Sequence, residues 1–174
     1  MKKLLYTTAS VITLASVLAG VSTQANAASL TGEGLITIQR PAITLEEQQK
    51  LNFGILTFAP GQVGHYEVLP TGLTGSKTAN VTQVGSGATA QDSGEIKVES
   101  GAGTVQVSFT DTTTAPGLSL SGIKGKIGAT TVTNAGAFTV DGNETLFVGA
   151  TLNFTEAATV GAQSVAYNIN VDYQ

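Results

Sequence analysis

The amino-acid sequence predicts an all-β protein built as one β-sandwich, and three observations carry that expectation. The first is alternation over the last ten residues. Val165, Tyr167, Ile169, Val171 and Tyr173 are interleaved with Ala166, Asn168, Asn170, Asp172 and Gln174. Strand side chains point to opposite faces with period two, so the first set is expected on a core and the second in water. The second observation is that no helical period persists over ten residues beyond residue 27. The third is composition: Thr, Val and Gly are abundant, Pro is scarce and Trp is absent, which suits strands joined by glycine turns.

The first 27 residues are expected to stand outside this fold. Lys2 and Lys3 precede an apolar run from Leu4 to Gly20, and Ala25-Asn26-Ala27 has the form of an A-x-A cleavage site. That is the pattern of a secretory signal peptide over 1–27, helical to about Leu18. The run is short for a membrane span, so the processed chain is expected to be exported and to keep no stable span. Ala28 to Gln174, left after cleavage, is long enough for one domain with a real core. Cleavage removes two of eight basic residues and none of twelve acidic ones, so the net charge becomes −6. A nucleic acid or an anionic lipid surface would call for a basic patch, so neither is an expected partner. With no cysteine, the sheets must be held by burial and ladder hydrogen bonds without disulfides.

The elements follow in order. In A-S-L-T-G-E-G-L-I-T-I-Q-R, residues 28–40, Leu30, Gly32, Gly34, Ile36 and Ile38 share one face. Two glycines weaken this as a self-sufficient strand and suit a backbone that passes close to something else. Pro41 breaks the run, and the domain proper is expected over 41–174. The polar Glu46–Lys50 suits at most one helical turn. Leu51, Phe53 and Ile55 alternate, and Pro60-Gly61 marks a turn. Further strands are expected at sandwich spacing: Gly64–Leu69, Lys77–Val84, Glu95–Glu99, Thr104–Thr110 and a short one at Leu118–Leu120. Ile123–Thr133 is less regular. Phe138 and Val140 precede an Asp141-Gly142 turn that suits a hairpin. Leu146, Val148, Ala150, Leu152 and Phe154 make the longest apolar alternation before the terminal strand.

Residues that could carry chemistry are few. His65 is the single histidine, in mid-strand on the same face as Glu67, which suits a solvated pair better than a catalytic one. Asp141, Asn143 and Glu144 could offer oxygens to Ca²⁺, but hard-cation sites need six or more ligands and the same residues suit a turn. Gly85-Ser86-Gly87 and Gly101-Ala102-Gly103 open no helix that could hold a phosphate. No catalytic residue, cofactor or metal is expected.

The ending V-D-Y-Q, with penultimate Tyr173, alternating apolar residues before it and Gly161 fourteenth from the end, resembles the chaperone–usher pilins. Leu51-Asn52-Phe53-Gly54 and the Pro60-Gly61 turn resemble, over about Ile36 to the C-terminus, a Cys-free family of secreted bacterial β-domains of unknown function. The resemblance implies an Ig-like, pilin-like sandwich with an N-terminal donor-strand arm over 28–40. Leu30, Gly32, Gly34, Ile36 and Ile38 would enter the pockets of a neighbour. Gly161, Val165, Tyr167, Ile169, Val171 and Tyr173 would form the strand first gripped by a periplasmic chaperone and then covered by the next subunit's arm. It further implies a head-to-tail homopolymer, an outer-membrane usher, passage through the periplasm and a place at the cell surface in a fimbria, with a role in adhesion or biofilm. The best-known pilins carry a disulfide and this chain does not. The short connection through Pro41 is expected to limit return of the arm to its own groove. The other function class is a self-contained secreted sandwich that binds a surface or matrix and pairs its arm within its own chain.

Overall fold

A computed structural model describes residues 39–59 and 61–174. The expected signal peptide with its helix, and the arm positions Leu30, Gly32, Gly34, Ile36 and Ile38, lie outside the described residues. The described chain is all-β, a sandwich of antiparallel sheet, with a three-residue 3₁₀ turn at Gly87–Thr89 and no α-helix among the described residues.

Twelve strands run in order: β1 Thr44–Gln49, β2 Leu56–Thr57, β3 Gly64–Val68, β4 Thr74–Lys77, β5 Thr82–Gln83, β6 Gly94–Glu99, β7 Gly103–Asp111, β8 Leu118–Ile127, β9 Thr130–Thr133, β10 Ala135–Val140, β11 Asn143–Phe154 and β12 Tyr167–Tyr173. Ten of them form one ladder in the order β1-β6-β11-β8-β9-β10-β7-β12, with β3 pairing β11 and β4; β2 and β5 pair separately. The sheet folds over so that β8 and β6 face β7 and β12. A Cβ at Gly125 of β8 would stand 2.6 Å from the Phe109 ring of β7, and one at Gly94 of β6 would stand 3.1 Å from the Tyr167 hydroxyl of β12. Between the layers lies one core, with Val98, Val105, Val107, Phe138, Leu146, Val148 and Phe154 almost wholly buried. Their period-two spacing along β6, β7, β10 and β11 makes these strands one-faced, and burial of that face drives the fold.

Several expectations are corrected. Glu46–Lys50 makes no helical turn. Thr44–Gln49 is strand β1, paired with β6 from Thr44↔Glu99 to Gln49↔Glu95 with a register slip between Glu47 and Gln49. Pairing supplies the backbone bonds that the five polar residues Glu46–Lys50 could not secure as an isolated helical turn. Lys77–Val84 is not one strand: Lys77 ends β4, Val81 is buried in the connection and only Thr82–Gln83 pair. Leu118–Leu120 and the irregular stretch after it are one ten-residue strand. The register with β11 shifts between Leu152↔Leu120 and Gly149↔Lys124, where Gly122 has φ +52°. This bulge moves the inward positions from Leu120 to Ile123 and Ile127, so the period-two signal breaks inside a continuous element. Asp141-Gly142 is no hairpin turn, because β10 pairs β7 and β9 while β11 pairs β3, β6 and β8.

Candidate functional site

The last strand of the chain is an edge. β12 pairs only with β7 among the described residues, from Tyr167↔Asp111 to Tyr173↔Val105. Gln174 N–H donates to Thr104 O at 3.1 Å and Thr112 N–H to Ala166 O at 3.0 Å, so the even-numbered residues exchange the ladder bonds with β7. In an antiparallel ladder the alternate residues then point their N–H and C=O groups the other way. These are Tyr167, Ile169, Val171 and Tyr173, and no backbone partner meets those groups among the described residues. The same residues are half-buried and pack against the core, while Asn168, Asn170 and Asp172 are exposed. This is the register expected from the alternation. Val165 and Gly161 fall before the strand: Val165 is half-buried and Gly161 is exposed with φ +119°.

Beside the first half of β12 the sandwich is open. A groove of about 890 Å³ runs between residues 50–58 and residues 158–169. Its apolar lining includes Phe53, Ile96, Leu152 and Phe154, all of them core residues, together with Val165 and Ile169. Phe58 lies on the Phe154 ring with centroids 4.4 Å apart and planes 22° from parallel. One wall is the Leu51-Asn52-Phe53-Gly54 motif. Asn52 Oδ1 accepts from Gly54 N–H at 2.8 Å, and the Asn52 backbone exchanges bonds with Asp92 at 3.0 and 2.7 Å. Gly54 has φ +72°, and a Cβ there would sit 2.9 Å from Gln91 N and Thr89 O, so only glycine turns the chain along the groove. Tyr167 reaches across to Gly94 and buries its hydroxyl without a partner among the described residues. Burial first, and the Glu47 charge second, push its phenol up to about 12.

The other end of β12 is closed. Gly101 N–H donates to the Tyr173 hydroxyl at 2.6 Å, Arg40 lies 5.3 Å over the Tyr173 ring, and its Nη1 donates to Gln174 O at 2.9 Å. Tyr173 therefore ties the start of the described chain to its end. Residue 40 thus lies at the C-terminal end of β12, and the arm to which the expectation about Pro41 applies lies outside the described residues.

The remaining candidates are placed as follows. His65 Nδ1 lies 3.3 Å from Thr78 Oγ1, and Glu67 is not solvated with it. Glu67 is buried, accepts from Ser76 N–H at 2.7 Å and pairs with Lys124. Burial alone would raise its pKa, but the hydrogen bonds from Lys124 and Ser76 and the Lys124 charge outweigh that and hold it below the usual carboxylate value. Sequence reasoning missed this pair, whose members are 57 residues apart on different strands. Asp141, Asn143 and Glu144 gather no third acidic or histidine ligand, and no such cluster of three occurs among the described residues. No helix among the described residues is long and apolar enough to cross a membrane.

An antiparallel sandwich with an open edge and an apolar groove defines the class. The model of a family described as Domain of unknown function (DUF4402) matches residues 43–173, and the chain belongs to that family. No curated protein and no solved structure matches it.

Proposed function

We propose that the protein is a structural subunit that polymerises by strand addition, the arm of one copy covering β12 of the next. The observation that carries this reading is the coincidence, along Tyr167–Ile169, of an edge with outward-pointing backbone groups and an open apolar groove that reaches core residues. In strand addition the main chain supplies affinity and alternate side chains fill pockets. Leu30, Ile36 and Ile38 would contribute about 5–9 kcal/mol gross on burial, reduced by the cost of association. Gly32 and Gly34 let the backbone run close to the groove wall. Because donor and acceptor are different surfaces, the assembly is head-to-tail and does not close on itself. On this reading the chain is exported through its signal peptide, a periplasmic chaperone covers the edge in transit, an usher passes the subunits outward, and the product is a surface fimbria that serves adhesion or biofilm.

The second reading, a secreted sandwich that pairs its own arm, is favoured by the contact of Arg40 with Gln174, which starts the arm beside its own β12. One experiment separates the two. Exported full-length protein is sized by sedimentation and imaged, then offered a synthetic peptide of residues 28–40. Fibres, together with saturable capture of the peptide by dissociated subunits, are expected. Stable monomers that refuse the peptide would sink the polymer reading.

A further inference from the structure

Around the mouth of the groove stand apolar side chains that the sandwich does not use. Ile55 and Val84 are side by side, Val84 N–H donating to Ile55 O at 2.9 Å, and are 49% and 55% exposed. Val160, fully exposed, lines the same groove as Ile55. Contiguous exposed apolar side chains on a soluble domain mark a surface that meets a partner. This mouth lies at the Gly94 end of β6, because Asn52 bridges Asp92 and Gly94 meets the Tyr167 hydroxyl. At the Glu99 end of β6 the surface is different. Pro41, Ala42, Ala102 and Gly103 are exposed, small and uncharged; beside them Arg40 is engaged with Tyr173 and Gln174, and Glu99 with Lys97 and Thr44. Tyr167 and Tyr173 mark these two ends, about 20 Å apart at the rise of a strand.

We propose that Ile55, Val84 and Val160 form the seat on which the body of a second copy rests, through its Pro41, Ala42 and Ala102 surface, when its arm occupies the groove. This rests on the strand-addition reading and adds to it a contact between the two bodies. The occupant follows from where the arm leaves the domain. The Tyr173 end of each acceptor already carries that subunit's own Arg40 and Pro41, whereas the groove is open at the Tyr167 end. An incoming arm must therefore point its own domain towards the open end. What arrives at Ile55 and Val84 is the surface beside the donor's residue 40, small and apolar, against branched side chains. Each subunit carries one seat and one matching end on opposite sides of the same groove axis, which is the condition for a non-closing heterologous contact.

The chain contains no cysteine, so an introduced pair reports a single contact. Val84→Cys and Ala102→Cys are placed together in the exported full-length protein, with Gln48→Cys plus Ala102→Cys as the control. Polymer is measured by sedimentation, and the oxidised product is run on denaturing gels. A ladder of covalent oligomers from the first pair, at least tenfold above the control, is expected. Polymer that forms normally but gives no ladder overturns the seat while leaving strand addition standing. Absence of polymer from the unsubstituted protein overturns strand addition, and the seat with it. A second variant, Val84→Asp, which lies outside the groove lining, is expected to capture the 28–40 peptide within about twofold of the unsubstituted protein and to polymerise at least tenfold less. Loss of peptide capture in that variant would assign Val84 to the groove and overturn the seat.

Discussion

β1 and β12 are the two ends of one ladder, and they meet water in opposite ways. β1 reads T-L-E-E-Q-Q, has five of its six residues exposed, carries two adjacent carboxylates and slips register between Glu47 and Gln49. Charges and a local slip are the usual means by which a sheet edge is kept from pairing with another chain. β12 has no slip and no paired charges. It pairs without a slip over seven residues, turns aromatic and β-branched side chains inward, and holds one charge, Asp172, on its outer face. A groove opens beside it to the core. An edge left this way is an aggregation hazard unless something specific covers it. The contrast within one sheet is therefore an argument that β12 has a dedicated partner strand and β1 does not.

The sharpest way to break that contrast is to give β12 the chemistry of β1. Ile169→Lys puts an ammonium on the inward face of the open edge, where an added strand would desolvate it. Capture of the 28–40 peptide is expected to fall by 100-fold or more, a cost of about 3 kcal/mol for an unpaired buried charge. Leu45→Lys on the already exposed β1 is expected to change capture less than twofold. Equal effects at the two edges, read by fluorescence titration, would remove the basis of the comparison. Next in size is Gly34→Asp in the arm. It is expected to weaken assembly at least tenfold, about 1.4 kcal/mol or more, and to leave the melting temperature of the domain unchanged.

Away from both edges, acid is expected to loosen the body of the sandwich. Glu67 has its folded pKa held below the unfolded value by Lys124 and Ser76. Its contribution to stability is therefore fully present above the unfolded pKa of about 4.5 and is lost as pH falls through the lower folded value. A melting temperature followed from pH 7 to pH 3 should fall below pH 4.5, and Glu67→Gln should flatten that fall while lowering stability at pH 7. A fall of the same steepness in the variant would show that other carboxylates carry the acid response.

How much of this the sequence could disclose depended on whether a signal was local. The inward set of β12 was legible because the strand is regular and its alternation runs unbroken to the end. β8 was not, because the bulge at Gly122 reverses which positions face inward and a period-two reading sees two fragments. β1 was misread because four polar residues have no local signature of a strand, and what makes them one is pairing with β6, some fifty residues away. The groove was invisible for the same reason on a larger scale. Its walls come from residues 50–58 and 158–169, about a hundred positions apart, and no spacing within either predicts an opening between them. The Leu51–Gly54 motif was noticed as a resemblance, and its physical meaning, a side-chain-locked turn forming a groove wall, needed the positive φ of Gly54.

The smallest expected effects compare the two tyrosines of β12, which share a face and differ in what their hydroxyls meet. Tyr173 accepts from Gly101 N–H at 2.6 Å, so Tyr173→Phe strands a backbone donor and should cost about 1 kcal/mol. Tyr167 has no such partner among the described residues, and its phenol is pushed up to about 12, first by burial and then by Glu47. Removing a buried hydroxyl that meets nothing relieves its desolvation, so Tyr167→Phe should be neutral or stabilising by up to about 1 kcal/mol. The pH dependence gives the sign independently. With a folded pKa above the unfolded value of about 10, the neutral phenol supports the fold up to pH 10, and that support is lost as pH rises through 12. Urea melts at pH 7 and pH 11 test both halves of the argument. The unsubstituted protein should lose stability between the two, and Tyr167→Phe should lose less. A Tyr167→Phe variant that melts as early as Tyr173→Phe at pH 7 would mean that the Tyr167 hydroxyl is bonded after all, and the groove end of β12 would then be no less tied down than the Tyr173 end.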